Sequence, residues 1–409
     1  MSVTVVVGAS VAGATVAQTL RAEGYDGRVV LVGDEPHLPY QRPPLSKGRL
    51  RGTDVDDAGA PTDTATLQPE AWYAEHDVDL RRATRVTAVD RASATVRLAD
   101  GEDLRWDHLV LATGAEPRRL AVPGADLSGV HTLRTVDDAD RLRDALVPGA
   151  RVVVVGGGWI GLEVAAVARE RGGEVTVLEA GPMPLLRVLG PEVAPLLTAL
   201  HRDHGVDVRT DVQATALAGD ERVTGVTLGD GSTVPADVVV VGVGVVPRTA
   251  LAEAAGLEVA NGVVVDELLR TSDPRVLAAG DIAHAWHPVL RTRVRVEHWA
   301  TAVRHGETAA RTILGRSEPD RRLPFFFTDQ YDLGMEYVGH VGPDGYDDVV
   351  LRGDLASREL IAFWLRDGRV LAGANINVWD VSEQIEELVV SGRRVDRAHL
   401  AGDVPLDRL

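Results

Sequence analysis

Two short glycine-rich stretches hold the residues best suited to chemistry. They are Gly8, Ser10 and Gly13 within VVVGASVAG, and Gly156, Gly158 and Gly161 within VVVVGGGWIG. Each follows a run of valines that reads as a buried strand and opens an Ala-rich segment with helical spacing. In such a turn the first glycine permits the tight bend and the second lets the main chain approach a pyrophosphate. The third lets helix and strand pack closely, and the phosphates then meet the unpaired N–H groups at the helix N-terminus. An acid at the end of the next strand supplies an acceptor for ribose hydroxyls. Asp34 and Glu35 are both candidates after the first turn, and Glu179 follows the second. Ser10 occupies the second glycine position of the first turn, where its small side chain leaves the approach open. One such turn also serves an unliganded strand-turn-helix. Two copies in register, each followed by acids, point to two dinucleotide sites.

The elements that must position these turns are themselves repeated. Val3 to Glu35 and Ala150 to Ala180 each read as strand, turn, helix and strand, one βαβ unit apiece, so the expected class is α/β with two Rossmann-like domains. LVLATGAEPR (109–118) and VVVVGVGVVPRT (238–249) look like paired crossover points. VLAAGDIA (276–283) reads as a further strand that ends in Gly280 and Asp281, and so carries a carboxylate to the edge where open α/β sheets bind ligands.

Composition narrows the chemistry. The chain has 409 residues, enough for two or three domains, and no cysteine, so a redox-active disulfide and thiolate-bound metal are both excluded and any electron transfer must use a bound cofactor. A formal net charge of -18 argues against nucleic acid or an anionic membrane as partner. No apolar run is long enough for a membrane span and residues 1–8 lack the pattern of a signal peptide, so a cytoplasmic protein is expected.

The order of the motifs then carries a resemblance. GxSxxG, PYQRPPLSK (39–47), ATG (112–114), GxGxxG with Glu163, Gly280-Asp281 and VEHWATAVRHG (296–306) together resemble the FAD-dependent, NADH-oxidising ferredoxin reductases of bacterial oxygenase systems, over nearly the whole chain. The resemblance implies a glutathione-reductase-like pair of interleaved domains plus a C-terminal α+β domain. Its boundaries are an FAD domain at 1–113 and 245–320, an NAD domain at 114–244 and a C-terminal reductase domain at 321–409. It implies FAD and NADH as cofactors and a [2Fe–2S] ferredoxin as acceptor, feeding a cytochrome P450 or a Rieske-type oxygenase, from a monomer or homodimer. A rubredoxin reductase and a redox-gated interaction protein like apoptosis-inducing factor are the alternatives.

Residue by residue, the resemblance assigns FAD to Gly8, Ser10, Val11, Ala12 and Gly13 in the first turn, with Asp34 or Glu35 at the ribose. Arg42, Lys47, Val86, Ala112, Thr113, Gly114 and Arg118 follow, and Gly280 and Asp281 serve the ribitol end. His298 and Trp299 open a helix whose N-terminus would face the pyrimidine ring. Phe327 stands where the family commonly has Trp in FWSDQYD, so packing against the ring is expected to differ. To NAD it assigns Gly156, Gly158, Trp159, Ile160, Gly161, Glu163, Glu179, Gly242, Val243 and Gly244. Lys47 and Glu163 are the catalytic pair: the ammonium favours the electron-rich reduced flavin near its N5 edge, and Glu163 holds the lysine and borders the nicotinamide slot. For the ferredoxin, Arg291, Arg293 and Arg295 are expected on one face of a strand, extended by Arg304 and Arg311 on the next helix.

Overall fold

The computed structural model describes residues 1–53, 65–316, 318–342 and 344–409. The chain groups into two compact units. One comprises residues 1–41, 65–116 and 246–324, and the other 42–64, 117–245 and 325–409.

The first unit is built on a five-stranded parallel sheet in the order Val276–Ala278, His108–Leu111, Val3–Val7, Arg28–Val32, Val78–Arg81. Apart from the edge strand Val78–Arg81, which carries the partly exposed Asp79 and Arg81, its strands are mostly buried Val and Leu because both faces are covered, the pattern of a parallel sheet rather than a half-wet one. The central strand Val3–Val7 feeds the helix Val11–Ala22, against which the helix Trp299–Ile313 packs. Gly306 makes that approach possible, since a Cβ there would lie 2.7 Å from the Ala12 carbonyl oxygen. Smaller sheets flank the layer, one from Val86–Asp90, Thr95–Leu98 and Asp103–Arg105 and one running through Gly262–Val265, Ala283–His287 and Thr292–Val294.

The second unit repeats the parallel layer in the order Asp207–Arg209, Glu174–Leu178, Arg151–Val155, Val238–Val241, Val130–His131. The strand Arg151–Val155 feeds the helix Trp159–Glu170. The chain from Phe325 forms a five-stranded antiparallel sheet, Phe325–Gln330, Leu333–Gly339, Arg369–Ile376, Glu359–Arg366 and Asp348–Asp354 in spatial order. Leu333, Met335, Trp364 and Ile376 of this sheet share one core with Leu162 of the helix Trp159–Glu170 and with Val193 and Leu197 of the helix Leu186–Asp203. Both expected βαβ repeats and the C-terminal α+β element are therefore present.

No described helix is long and apolar enough to cross a membrane.

Candidate functional site

In the first unit, Val7 leads into Gly8 at φ +116°, a left-handed conformation that disfavours any side chain, and a Cβ there would meet the Ala112 carbonyl oxygen at 2.1 Å. Val11, Ala12 and Gly13 form the buried first turn of the helix. Ser10 sits at its N-cap yet makes no capping bond. Its hydroxyl instead donates to the Tyr40 carbonyl oxygen at 3.3 Å. The serine is thus drawn aside and leaves the first-turn N–H groups to a ligand, so Ser10 is compatible with a pyrophosphate cradle.

The acids after the strand Arg28–Val32 are both engaged. Asp34 accepts from Arg248 at 3.1 Å, and the Tyr40 hydroxyl donates to Glu35. The Thr113 hydroxyl and the Gly114 carbonyl tie the ATG turn to Arg248, through its carbonyl at 2.9 Å and its N–H at 2.9 Å. Ala112 and Val86 are buried. His298 caps the helix Trp299–Ile313 through an Ala300 N–H at 3.2 Å, and Trp299 is 39% exposed at its start.

Gly280, in a single 3-10 turn with Asp281, donates its N–H to Nδ1 of His305 at 3.3 Å. Burial pushes the His305 imidazole down to about 4, opposed by the charges of Asp320 and Asp281 and aided by His287 and Arg304. Because the folded value lies below the ordinary 6.5, this group's contribution to stability is complete above about 6.5. It is lost as pH falls toward about 4, where the unfolded chain takes up the proton first. Burial moves His201 in the same direction. The thermal midpoint should therefore fall across that window, and His305→Asn, which keeps an acceptor for Gly280, should flatten the fall. An unchanged pH slope in the variant would refute the assignment.

The expected arginine face is not formed. The strand covers only Thr292–Val294, and Arg291 precedes it in a left-handed turn conformation at φ +54°. Arg293 donates to the Val265 carbonyl, and Arg295 is turned inward onto Glu297, Asn261 and the Asp281 carbonyl. Arg304 donates to the Leu323 carbonyl at 2.7 Å, and Arg311 pairs with Glu23 at 2.7 Å. Carbonyls and acids left by irregular chain outcompete the simple alternation of a strand.

In the second unit the equivalent turn makes the same close backbone approaches. A Cβ on Gly156 would lie 2.5 Å from the Gly242 carbonyl oxygen, and Gly161 packs against the Gly156 carbonyl. At Gly158, the N-cap of Trp159–Glu170, the nearest atom to a Cβ would be the Gly242 oxygen at 3.8 Å, so the space a second-position side chain would fill is open. Glu179 accepts from the N–H groups of Gly157 and Gly181, each at 2.8 Å, which holds its carboxylate at the turn. Ile160 is 46% exposed, whereas Trp159 packs on Phe326 with ring centroids 4.8 Å apart. Val243 and Gly244 continue the crossover, and the Arg118 N–H donates to the Gly244 carbonyl at 2.9 Å. Both turns fit a dinucleotide on these observations: an uncapped helix N-terminus, backbone contacts that admit no side chain, and an acid beside the turn.

Lys47 and Glu163 meet in this unit, Nζ to Oε1 at 2.8 Å, with Glu163 only 4% exposed. The loop carrying Lys47 begins with a 3-10 turn at Pro43–Ser46, where two prolines pre-set φ, and continues into Gly48–Arg51. Two forked ion pairs pin it, Arg49 on Asp140 at 2.7 and 2.8 Å and Arg51 on Glu170 at 2.7 and 3.4 Å. The Arg42 guanidinium donates to the Arg134 carbonyl. The ammonium also lies 5.3 Å from the Phe327 ring centroid, a cation–π contact. The residues assigned to FAD thus divide, with Arg42, Lys47, Arg118 and Phe327 in the second unit.

Sequence reasoning missed Ser46, Thr328, Gln330 and His201, which surround Glu163 or connect to it, as well as Tyr40, Arg248 and His305 in the first unit. The alternation in FTDQ already put Thr328 and Gln330 on one strand face.

Comparison with known proteins agrees with this geometry. The pyridine nucleotide-disulphide oxidoreductase family model matches residues 2–306, and a reductase C-terminal model matches 325–409. The chain belongs to the pyridine nucleotide-disulphide oxidoreductase family, among its ferredoxin reductases. It is 44% identical to the probable ferredoxin reductase CtmF of Castellaniella defragrans, over 90% of this chain and 88% of that one. It is 40% identical to the ferredoxin--NAD(+) reductase component of the biphenyl dioxygenase system of Paraburkholderia xenovorans, over 91% and 89%. Among solved structures, the covalent putidaredoxin reductase–putidaredoxin complex matches with TM-score 0.94 at 37% identity, covering 99% of this chain and 97% of that one.

Proposed function

We propose that this protein passes electrons from NADH through FAD to a [2Fe–2S] ferredoxin that feeds a cytochrome P450 or Rieske-type oxygenase. The observation that carries the reading is the buried Lys47–Glu163 pair beside the second dinucleotide turn, in a chain without cysteine. The disulfide chemistry in the family's name has no thiol here, so the lysine is the charged group left to answer flavin reduction. FAD, when bound, takes up electrons in pairs from a nicotinamide and releases them singly. The first-unit turn, Gly8 to Gly13, binds its pyrophosphate, with Asp34 or Glu35 at the ribose. The ATG turn and Gly280-Asp281 line the same edge of the parallel sheet. The turn Gly156–Gly161 with Glu179 binds NADH. Lys47 supplies positive charge that favours the reduced state, and Glu163 holds the ammonium in place. We assign the FAD domain to 1–113 and 245–320, the NAD domain to 114–244 and the ferredoxin-system C-terminal domain to 321–409.

Steady-state turnover with NADH and a panel of [2Fe–2S] ferredoxins and rubredoxins, read by cytochrome c reduction, tests the reading. Rapid reduction of at least one ferredoxin is expected. Transfer to rubredoxins alone favours the rubredoxin alternative, and transfer to no iron protein favours an interaction role.

For docking, the members of the expected set that remain exposed are Arg291 and Arg293, of which Arg293 also donates to the Val265 carbonyl, whereas Arg295 and Arg304 are drawn onto internal partners. An acidic ferredoxin would be repelled by the net charge of -18 unless such a patch steers it. Arg291→Glu with Arg293→Glu should raise the KM for ferredoxin chiefly at low salt and leave dye reduction by NADH normal. Identical kinetics across an ionic-strength series would remove this face from consideration.

A further inference from the structure

Three further side chains form a line that ends on Glu163. Thr328 donates to its Oε1 at 2.7 Å, and Gln330 donates from Nε2 to the Thr328 hydroxyl oxygen at 3.1 Å. His201, on the helix Leu186–Asp203, lies with Nε2 at 2.8 Å from Gln330 Oε1. All are buried: Thr328 is 1% exposed, Gln330 and His201 0%. We infer that Thr328, Gln330 and His201 form a one-way hydrogen-bond chain that positions Glu163, and through it Lys47, and so sets how firmly the ammonium acts on the reduced flavin. This inference rests on the role proposed above for Lys47.

The direction of the chain follows from proton counting. His201 Nδ1 is buried and has no partner among the described residues. The ring proton therefore belongs on Nε2, where it has an acceptor, because a buried N–H left unpaired is expensive. Nε2–H then points at Gln330 Oε1, which commits the amide nitrogen to donate to Thr328. The Thr328 hydroxyl accepts from that amide and has one proton to give, and the Glu163 carboxylate, which can only accept, receives it. Burial pushes the His201 imidazole down, so that the neutral form persists at neutral pH.

Glu163 is in this way held from both sides. Oε1 accepts from Thr328 and Lys47, and Oε2 accepts from Ser46. The carboxylate cannot rotate toward or away from the lysine without breaking one of these bonds. An apolar core would be satisfied by Val and Leu at the same positions, without the cost of burying an amide, an imidazole and a hydroxyl. The Phe325–Gln330 strand also explains why one segment does two things. Its alternation sends Phe327 beneath the ammonium and sends Thr328 and Gln330 into the relay. Thr328, Gln330 and His201 are positioning residues that touch neither NADH nor flavin in this account.

The test compares Thr328→Val, which removes only the hydroxyl, with Thr328→Ser, which restores it, and with Lys47→Met. Each purified holoprotein is examined for its FAD midpoint potential and for anaerobic reduction by NADH in stopped flow. Thr328→Val should retain FAD and a normal thermal midpoint within the loss of one bond, yet reduce about tenfold more slowly, the factor matching loss of one charge-assisted bond. Its potential should move in the same direction as that of Lys47→Met. Thr328→Ser should behave as the parent, and Thr328→Val added to Lys47→Met should have no further effect on either readout. If Lys47→Met is impaired while Thr328→Val matches the parent in both rate and potential, the relay is wrong and the lysine's role survives. If Lys47→Met also matches the parent, the role of Lys47 fails and the relay falls with it.

Discussion

Lys47→Met should slow the reduction of bound FAD by NADH about a hundredfold, the size of effect found when one preorganised electrostatic donor is removed from an active site. Methionine keeps most of the length and apolar stem of lysine and removes only the charge and its donors. The charge matters here because the ammonium is fixed on three counts. Its carboxylate partner lies at 2.8 Å, the Phe327 ring lies 5.3 Å away, and its loop is clamped by the forked Arg49–Asp140 and Arg51–Glu170 pairs. A flexible surface lysine would lose most of its influence to solvent and to its own rotamer freedom, whereas this side chain is only 16% exposed. Glu163→Gln should impair the same step less severely, because the amide still accepts but no longer draws the ammonium. The double variant should be no worse than Lys47→Met. Anaerobic stopped-flow absorbance at saturating NADH, with the midpoint potential measured alongside, gives the answer. A rate within twofold of the parent would return Lys47 to the class of ordinary loop lysines.

Much of the architecture was legible because local and global signals agree. Two valine runs followed by glycine turns and Ala-rich helices specify parallel strands buried on both faces, and the structure pairs both in that way. The second glycine turn and the acid beside it were readable as a pattern, since the turn and Glu179 lie within one βαβ unit, although the Gly157 and Gly181 N–H groups that hold the carboxylate were not foreseen. What was not legible depends on contacts far apart in sequence. Nothing local in Arg49 or Arg51 announces Asp140 or Glu170, and nothing in Glu163 announces Thr328, because these meetings are made by packing around a shared core. The arginines at 291, 293 and 295 failed for the opposite reason. Their alternation is a true local signal, but the strand is only three residues long, Arg291 lies before it in a left-handed turn, and nearby carbonyls and acids claim the guanidinium groups of Arg293 and Arg295.

Coenzyme discrimination should be the second large effect, with kcat/KM for NADH exceeding that for NADPH by about a hundredfold or more, on the order of 3 kcal/mol. Glu179 directly follows the strand Glu174–Leu178 and is held by two main-chain N–H groups, from Gly157 and Gly181, at 2.8 Å each. Those bonds fix both carboxylate oxygens at the turn where the adenosine ribose of a dinucleotide belongs, so one can accept from a 2′-hydroxyl. A 2′-phosphate would bring like charge against a carboxylate that cannot swing away. The residues after it, Ala180 to Pro184, include no arginine or lysine to compensate. Glu179→Gln separates the two duties of the side chain. It keeps an acceptor oxygen for one main-chain N–H and removes the charge, so the KM for NADH should rise only several-fold while the preference over NADPH shrinks to about tenfold. Loss of activity with both coenzymes alike would mean that Glu179 only braces the turn. Comparable efficiency of the parent protein with NADH and NADPH would show that the carboxylate does not face the ribose at all.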